Sequence, residues 1–162
     1  MSRFLNFDSA TFQEMIHFYG DIYNLPPLSS KIYSYMTFDI EKRGVTFDEL
    51  LNFFSVSKSS ISSNINLLLQ QKLIVHIHRE DERKRFYYIN PEFSKIRFGE
   101  ILKRLEQEIA IVKKLKEFKD QHCKNANCKE YSEQYLIYKN FLEKGIENFK
   151  DTLIKLSTVY EK

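Results

Sequence analysis

Apolar side chains recur at helical spacing in four separate runs over the first seventy or so residues of the chain. Ser9 to Tyr23 places Phe12, Met15, Ile16 and Tyr19 on one face and stops at NLPPLSS, where two prolines break any continuing helix. Leu28 to about Glu41 repeats the pattern with Ile32, Tyr35, Met36 and Ile40, and Gly44 is expected to end it. The third run opens on Thr46-Phe47-Asp48-Glu49, a T-x-x-E capping box, and continues with Phe47, Leu50, Leu51 and Phe54 at i, i+3, i+4 and i+7. Only Ser55 and Val56 separate it from the fourth run, in which Ser57 is the expected N-cap and Ile61, Ile65, Leu68 and Leu69 line one face.

After Lys72 the period changes from helical to alternating. LIVHIHR and RKRFYYIN are rich in β-branched and aromatic residues and flank the charged EDE, so they predict a β-hairpin with a polar tip, ended by Pro91. Residues 93–162 carry two long helical patterns divided by the polar QHCKNANCK. Ile101, Leu105, Ile109 and Val112 mark the first, and Tyr131, Tyr135, Tyr138, Leu142, Phe149, Leu153, Leu156 and Tyr160 the second. Each forms a heptad-like seam that one helix cannot bury alone, which predicts a homodimer. The expected fold is mainly α with a small β-hairpin wing: a winged helix-turn-helix followed by long terminal dimerisation helices. The corresponding segments are 1–27 (N-terminal helix and linker), 28–92 (winged helix-turn-helix) and 93–162 (C-terminal helical region).

The fourth helix begins with residues that are poor helix formers. Its first turns, SVSKSSISSNIN, are packed with serine, which competes for backbone hydrogen bonds and favours caps over helix interiors. A helix that enters the DNA major groove with its N-terminal turns needs small side chains there, with hydroxyls or amides that bond bases and phosphates. At about 100° per residue, the face opposite Ile61, Ile65, Leu68 and Leu69 centres on Ser59, Ser63 and Gln70, with Ser60, Ser62 and Asn66 at its margins. The preceding helix carries Asp48 and Glu49 in its first turn, whereas residues 55–79 contain no acidic residue, leaving this helix start open to phosphate. Charge agrees with that placement. Residues 57–88 hold six basic side chains against three acidic ones, and the whole net charge of +3 resides there. The candidate DNA contacts are Ser57, Lys58, Ser59, Ser60, Ser62, Ser63 and Asn66 on the helix and Arg83, Lys84 and Arg85 on the wing. A solvated polar helix face is the bland reading of the serines; the tight turn, the missing acids and the hairpin weigh against it.

Four glycines, three prolines and no Trp in 162 residues argue against a loop-rich, many-hairpin fold. There is no tract of about 18 apolar residues to span a bilayer, and MSRFLNFDSATF lacks the apolar core of a secretory signal, so a cytoplasmic protein with no membrane partner is expected.

Residues 45–90 resemble the winged helix-turn-helix of the MarR superfamily, and VSKSSISSNINLLL with ERKRFYY is most similar to its GbsR branch. YNLPPLSSKIYSYM also resembles the segment preceding the motif in that branch, with Ser30, Lys31 and Ser34 where the family tends toward glycine, arginine and glycine. The resemblance covers about residues 20–90. It implies a homodimeric transcriptional regulator of double-stranded DNA, a palindromic site, a wing arginine in the minor groove at the position of Arg83, and, in some members, a choline-like effector.

Three weaker signals invite other chemistry. Tyr131, Tyr135 and Tyr138 could frame a cation, although a tyrosine stripe at helical spacing is more often packing. His122, Cys123 and Cys128 offer three potential ligands, short of a closed zinc site, and two cysteines in a reducing cytosol are usually free thiols. His76 and His78 share a strand face. Neither a phosphate-binding glycine loop nor a nucleophile elbow occurs, so neither an enzyme nor a cofactor or metal site is expected. The alternative to a DNA-binding regulator is a winged-helix module that binds protein instead.

Overall fold

In the computed structural model, which describes residues 9–78, 84–122 and 127–160, the first amphipathic run forms α1 (Ser9–Tyr23) and buries Phe12 and Ile16. The chain divides into two units, Met1–Pro91 and Glu92–Lys162. In the first unit α1 packs on α2 (Pro27–Thr37), which starts with proline at its first position, where the missing N–H costs nothing. Ser29, Ser30, Ile32, Tyr33, Ser34, Tyr35 and Met36 of α2 are all buried, so this short helix is the hub of the winged domain.

The helix ends at Thr37, four residues before the expected Glu41. The Asp39 carboxylate accepts hydrogen bonds from the backbone N–H groups of Arg43 (3.1 Å) and Gly44 (2.7 Å), folding the chain into a turn that competes with helix continuation. Ile40, expected on the buried face, is instead 87% exposed on this turn. Gly44 therefore serves as the entry to a strand and not as a helix cap: its φ is +78°, and the Tyr88 ring closes over it while the Tyr88 hydroxyl donates to the Arg43 carbonyl at 3.2 Å.

That strand, β1 (Val45–Thr46), was not legible in the sequence, because two residues are too few to alternate. The sheet has the order β1-β3-β2 and is antiparallel throughout. β2 (Ile74–His78) and β3 (Arg85–Ile89) form the expected hairpin, with Ile74 opposite Ile89 and His78 opposite Arg85. Asn90 ties its base: its N–H donates to the Leu73 carbonyl (3.0 Å) and its Nδ2 to the Lys72 carbonyl (2.7 Å). Between β1 and β2 lie α3 (Phe47–Phe54) and α4 (Lys58–Gln70). Ile32, Val45, Leu50, Ile61, Leu68, Leu73 and Ile74 make the shared core.

The second unit is a helical hairpin of α5 (Phe93–His122) and α6 (Asn127–Tyr160). Its contacts run antiparallel: Phe98 meets Phe149, Leu105 lies beside Gly145, Lys116 covers Tyr135 and Lys119 covers Tyr131. The two seams read from the sequence thus face each other within one chain, around buried Ile109 and Leu142. Along one flank of this hairpin Lys113 and Lys139 reach Glu143 at 3.3 and 3.2 Å and Lys150 reaches Glu106 at 2.9 Å. The Lys139 hydrogen bond, with Lys113 adding to it, holds the Glu143 carboxyl below its ordinary range. Exposed apolar side chains stand both along this flank, at Leu136 and Ile154, and away from it, at Ile111, Leu115 and Phe118 of α5 and Ile137, Tyr138 and Phe141 of α6, with exposures from 41 to 73%.

Two glycine substitutions should act in opposite directions in urea denaturation. At Gly44 an added Cβ would lie 2.4 Å from Tyr88 Cζ at a left-handed φ, so Gly44→Ala should destabilise the first unit. The expected loss is about 1–3 kcal/mol. Gly99 lies inside α5 with nothing within 4 Å of a new Cβ. Gly99→Ala should therefore stabilise by about 0.5–1 kcal/mol, the entropic cost of a mid-helix glycine.

Candidate nucleic-acid interface

The approach to α4 is set by three residues. Ser55 ends α3 in the left-handed conformation (φ 51°, ψ 40°), its N–H bonded to the Leu51 carbonyl at 3.0 Å. Val56 follows, and Ser57 adopts the extended backbone of an N-cap, its hydroxyl oxygen accepting from the Ser60 N–H at 3.2 Å. The upstream cap works in the same way, with Thr46 Oγ1 accepting from the Glu49 N–H at 3.2 Å. The Glu49 carboxylate also accepts from the Tyr35 hydroxyl at 3.3 Å, which fastens α3 to α2.

Ile61, Ile65 and Leu68 of α4 are buried. The opposite face presents Lys58, Ser59, Ser62, Ser63, Asn66 and Gln70 to solvent. The serines fall into two groups. Ser57, Ser59 and Ser60 form a local hydroxyl network, with Ser57 Oγ 2.9 Å from Ser59 Oγ and 2.8 Å from Ser60 Oγ. Ser60 is half-buried and turned toward the cap. Ser62 and Ser63 stand farther along, and the Ser63 hydroxyl donates to the Ser60 carbonyl at 3.1 Å, which leaves its lone pairs facing outward. α4 has no acidic residue in its first turn, so the positive end of its dipole is uncompensated by side chains on its own first turn.

Asn64 was not singled out by sequence reasoning. Its Oδ1 accepts from buried Ser29 of α2 at 2.6 Å, and its Nδ2 donates to the Ser60 carbonyl at 2.7 Å. The only sequence signal was an asparagine beside an apolar stripe, which does not reveal a partner 35 positions away.

On the wing, Arg85 opens β3 and is exposed. Lys84 is exposed and lies 3.4 Å from Asp48 in the first turn of α3; both side chains are over 60% exposed. Solvent screens such a pair to about 0–1 kcal/mol, so Lys84 is available to a polyanion at small cost. Arg83 lies outside the described residues. His76 and His78 are exposed on one face of β2 with ring centroids 6.0 Å apart. Among the described residues no group of three or more His, Cys, Asp or Glu side chains could hold a metal. Cys123 lies outside the described residues, and Cys128 falls at the start of α6.

The tyrosine stripe on α6 is engaged within its own hairpin. Lys119 Nζ sits 3.6 Å from the Tyr131 ring centroid and Lys116 Nζ 5.6 Å from that of Tyr135. The Tyr138 hydroxyl donates to Glu108, a hydrogen bond that raises the phenol above its ordinary value. An aromatic cage for a ligand cation would have to displace two lysines already covering its walls.

No helix among the described residues is long and apolar enough to cross a membrane. No family profile matches the chain, and no curated protein does. One solved structure, a crystal structure of a transcriptional regulator, resembles it with a TM-score of 0.52 at 14% identity, over 91% of this chain and 99% of that one. The likeness is one of fold: among the described residues, six helices and a small three-stranded antiparallel sheet, as in a winged-helix fold.

Proposed function

We propose that the chain is a homodimeric, sequence-specific DNA-binding transcriptional regulator of the MarR superfamily, in its GbsR-like branch. The observation that carries this reading is the exposed, acid-free face of α4, where Lys58, Ser59, Ser62, Ser63 and Asn66 stand opposite buried Ile61, Ile65 and Leu68. Ser57, Lys58, Ser59 and Ser60 at the helix start are the phosphate contacts, helped by the helix dipole. Ser62, Ser63 and Asn66 are the base-edge contacts. With its proton given to the Ser60 carbonyl, Ser63 offers an acceptor, which suits the amino groups of adenine N6 or cytosine N4. Arg83, Lys84 and Arg85 contact the flanking backbone or minor groove from the wing.

A second copy of the chain is the partner that the second unit favours. Its exposed apolar side chains, Phe118 and Phe141 among them, are ones that an identical unit would bury by twofold symmetry. The similarity to the GbsR branch supports a small-molecule effector, and with Lys116 and Lys119 over Tyr135 and Tyr131 the tyrosine stripe is a poor place for it.

The test is a set of titrations against a duplex chosen by the protein from a random-sequence pool and a scrambled duplex of equal composition, at several salt concentrations. Ser63→Ala should lose on the order of 1 kcal/mol on the chosen duplex, the scale of one neutral hydrogen bond, and nothing on the scrambled one. Arg83→Ala should weaken both and reduce the salt slope of log K by roughly one. Wild-type affinity in the folded Arg83 variant would remove the wing from the interface, and no duplex binding at low salt would favour the protein-binding module. Phe118→Glu with Phe141→Glu should give a folded monomer by sedimentation, whereas an intact dimer would place the interface elsewhere.

A further inference from the structure

Asn64 lies at the seam between the buried and exposed faces of α4 and is held from both sides. The Ser60 carbonyl can only accept, so the amide must turn Nδ2 toward it, at 2.7 Å, and that orientation leaves Oδ1 for the Ser29 hydroxyl at 2.6 Å. Ser29 is fully buried in the hub helix α2, where no water competes for its proton. Ile61, Ile65 and Leu68 hold α4 against the core through burial that has no direction, and a small rotation about the helix axis leaves them buried. Such a rotation matters at the surface: with side chains reaching about 5–6 Å from the axis, about 20° moves a tip by about 2 Å. Hydrogen bonding to a base edge tolerates only about 0.5 Å. A directional bond from the rigid hub to the first turns of α4 removes that freedom.

We propose that Asn64, held by Ser29, is a positioning residue that sets the rotation of α4 and so decides which of Ser62, Ser63 and Asn66 meets the base edges. The proposal rests on the DNA-binding reading above. Asn64 itself touches no base; it acts through the Ser60 carbonyl, on which the Ser63 hydroxyl also rests. Contacts to phosphate, governed by charge and long range, survive a small rotation, while contacts to bases do not. The clamp therefore controls discrimination and not overall affinity.

The experiment compares Asn64→Ala, Ser29→Ala and the double variant with the unaltered protein, using a duplex that the unaltered protein selects from a random-sequence pool and its scrambled counterpart. Circular dichroism and sedimentation establish that each variant is folded and in the same oligomeric state. Each single variant should bind the scrambled duplex as the unaltered protein does and the selected duplex about tenfold more weakly, the scale of one lost base contact. The double variant should be no worse than the poorer single one, because the two residues form one device. Ser29→Ala, which deletes one hydroxyl and leaves Asn64 in place, carries the test if Asn64→Ala does not fold. Equal losses on both duplexes, an unchanged ratio between them, or additive losses would overturn the proposal. If the unaltered protein selects no duplex, the DNA-binding reading fails first and takes the clamp with it.

Discussion

The burial of Ile61, Ile65 and Leu68 is the constraint on which the rest of the candidate interface depends. Each contributes about 1.5–3 kcal/mol when removed from water, and together they hold a helix whose first turns would not persist alone. Serine and asparagine supply chemistry to the outer face at the expense of helix propensity, and the Ser57 cap and the apolar stripe compensate for it. The opposing surface is α2, so deeply buried that three of its serines have no access to water. A rigid hub beneath and a hydroxyl-rich face above are two sides of one arrangement.

The elements with strong local physics were legible in the chain. Thr46 with Glu49 and Ser57 with Ser60 are caps whose residue types announce a helix start, and both caps form. The β-branched and aromatic runs around EDE announced the hairpin, and the face opposite Ile61 and Leu68 follows from helical phase. What failed to appear depends on contacts that hydrophobic periodicity does not encode. The end of α2 depends on the Asp39 carboxylate turning toward Arg43 and Gly44, which a periodic pattern through Ile40 concealed. β1 exists because Val45 and Thr46 find Tyr87 and Phe86, not because two residues prefer to be a strand. The bond from Ser29 to Asn64 is likewise a product of the fold.

The terminal helices teach the same lesson in another form. Their heptad-like seams pointed to a partner, and the partner turned out to be each other, with Phe98 on Phe149 and the lysines of α5 over the tyrosines of α6. A second copy is then favoured not by the seams but by what they leave over. With the seams closed on each other, Ile111, Phe118, Leu136, Ile137, Phe141 and Ile154 are left exposed beside the ion pairs of Glu106, Lys113, Lys139, Glu143 and Lys150. Which apolar side chains the hairpin leaves over is a property of the fold that a one-dimensional pattern of seams hides.

The central claim, that the outer face of α4 lies in the major groove, is tested most directly by crosslinking from that face. A photoreactive group on a cysteine at position 62, in a chain with Cys123→Ser and Cys128→Ser, would be irradiated on the selected duplex, with the same group at exposed Glu133 of α6 as the control. The account predicts adducts on major-groove base edges from position 62, in two clusters about 10 base pairs apart or a multiple of that. Adducts no more frequent from position 62 than from position 133 would contradict it.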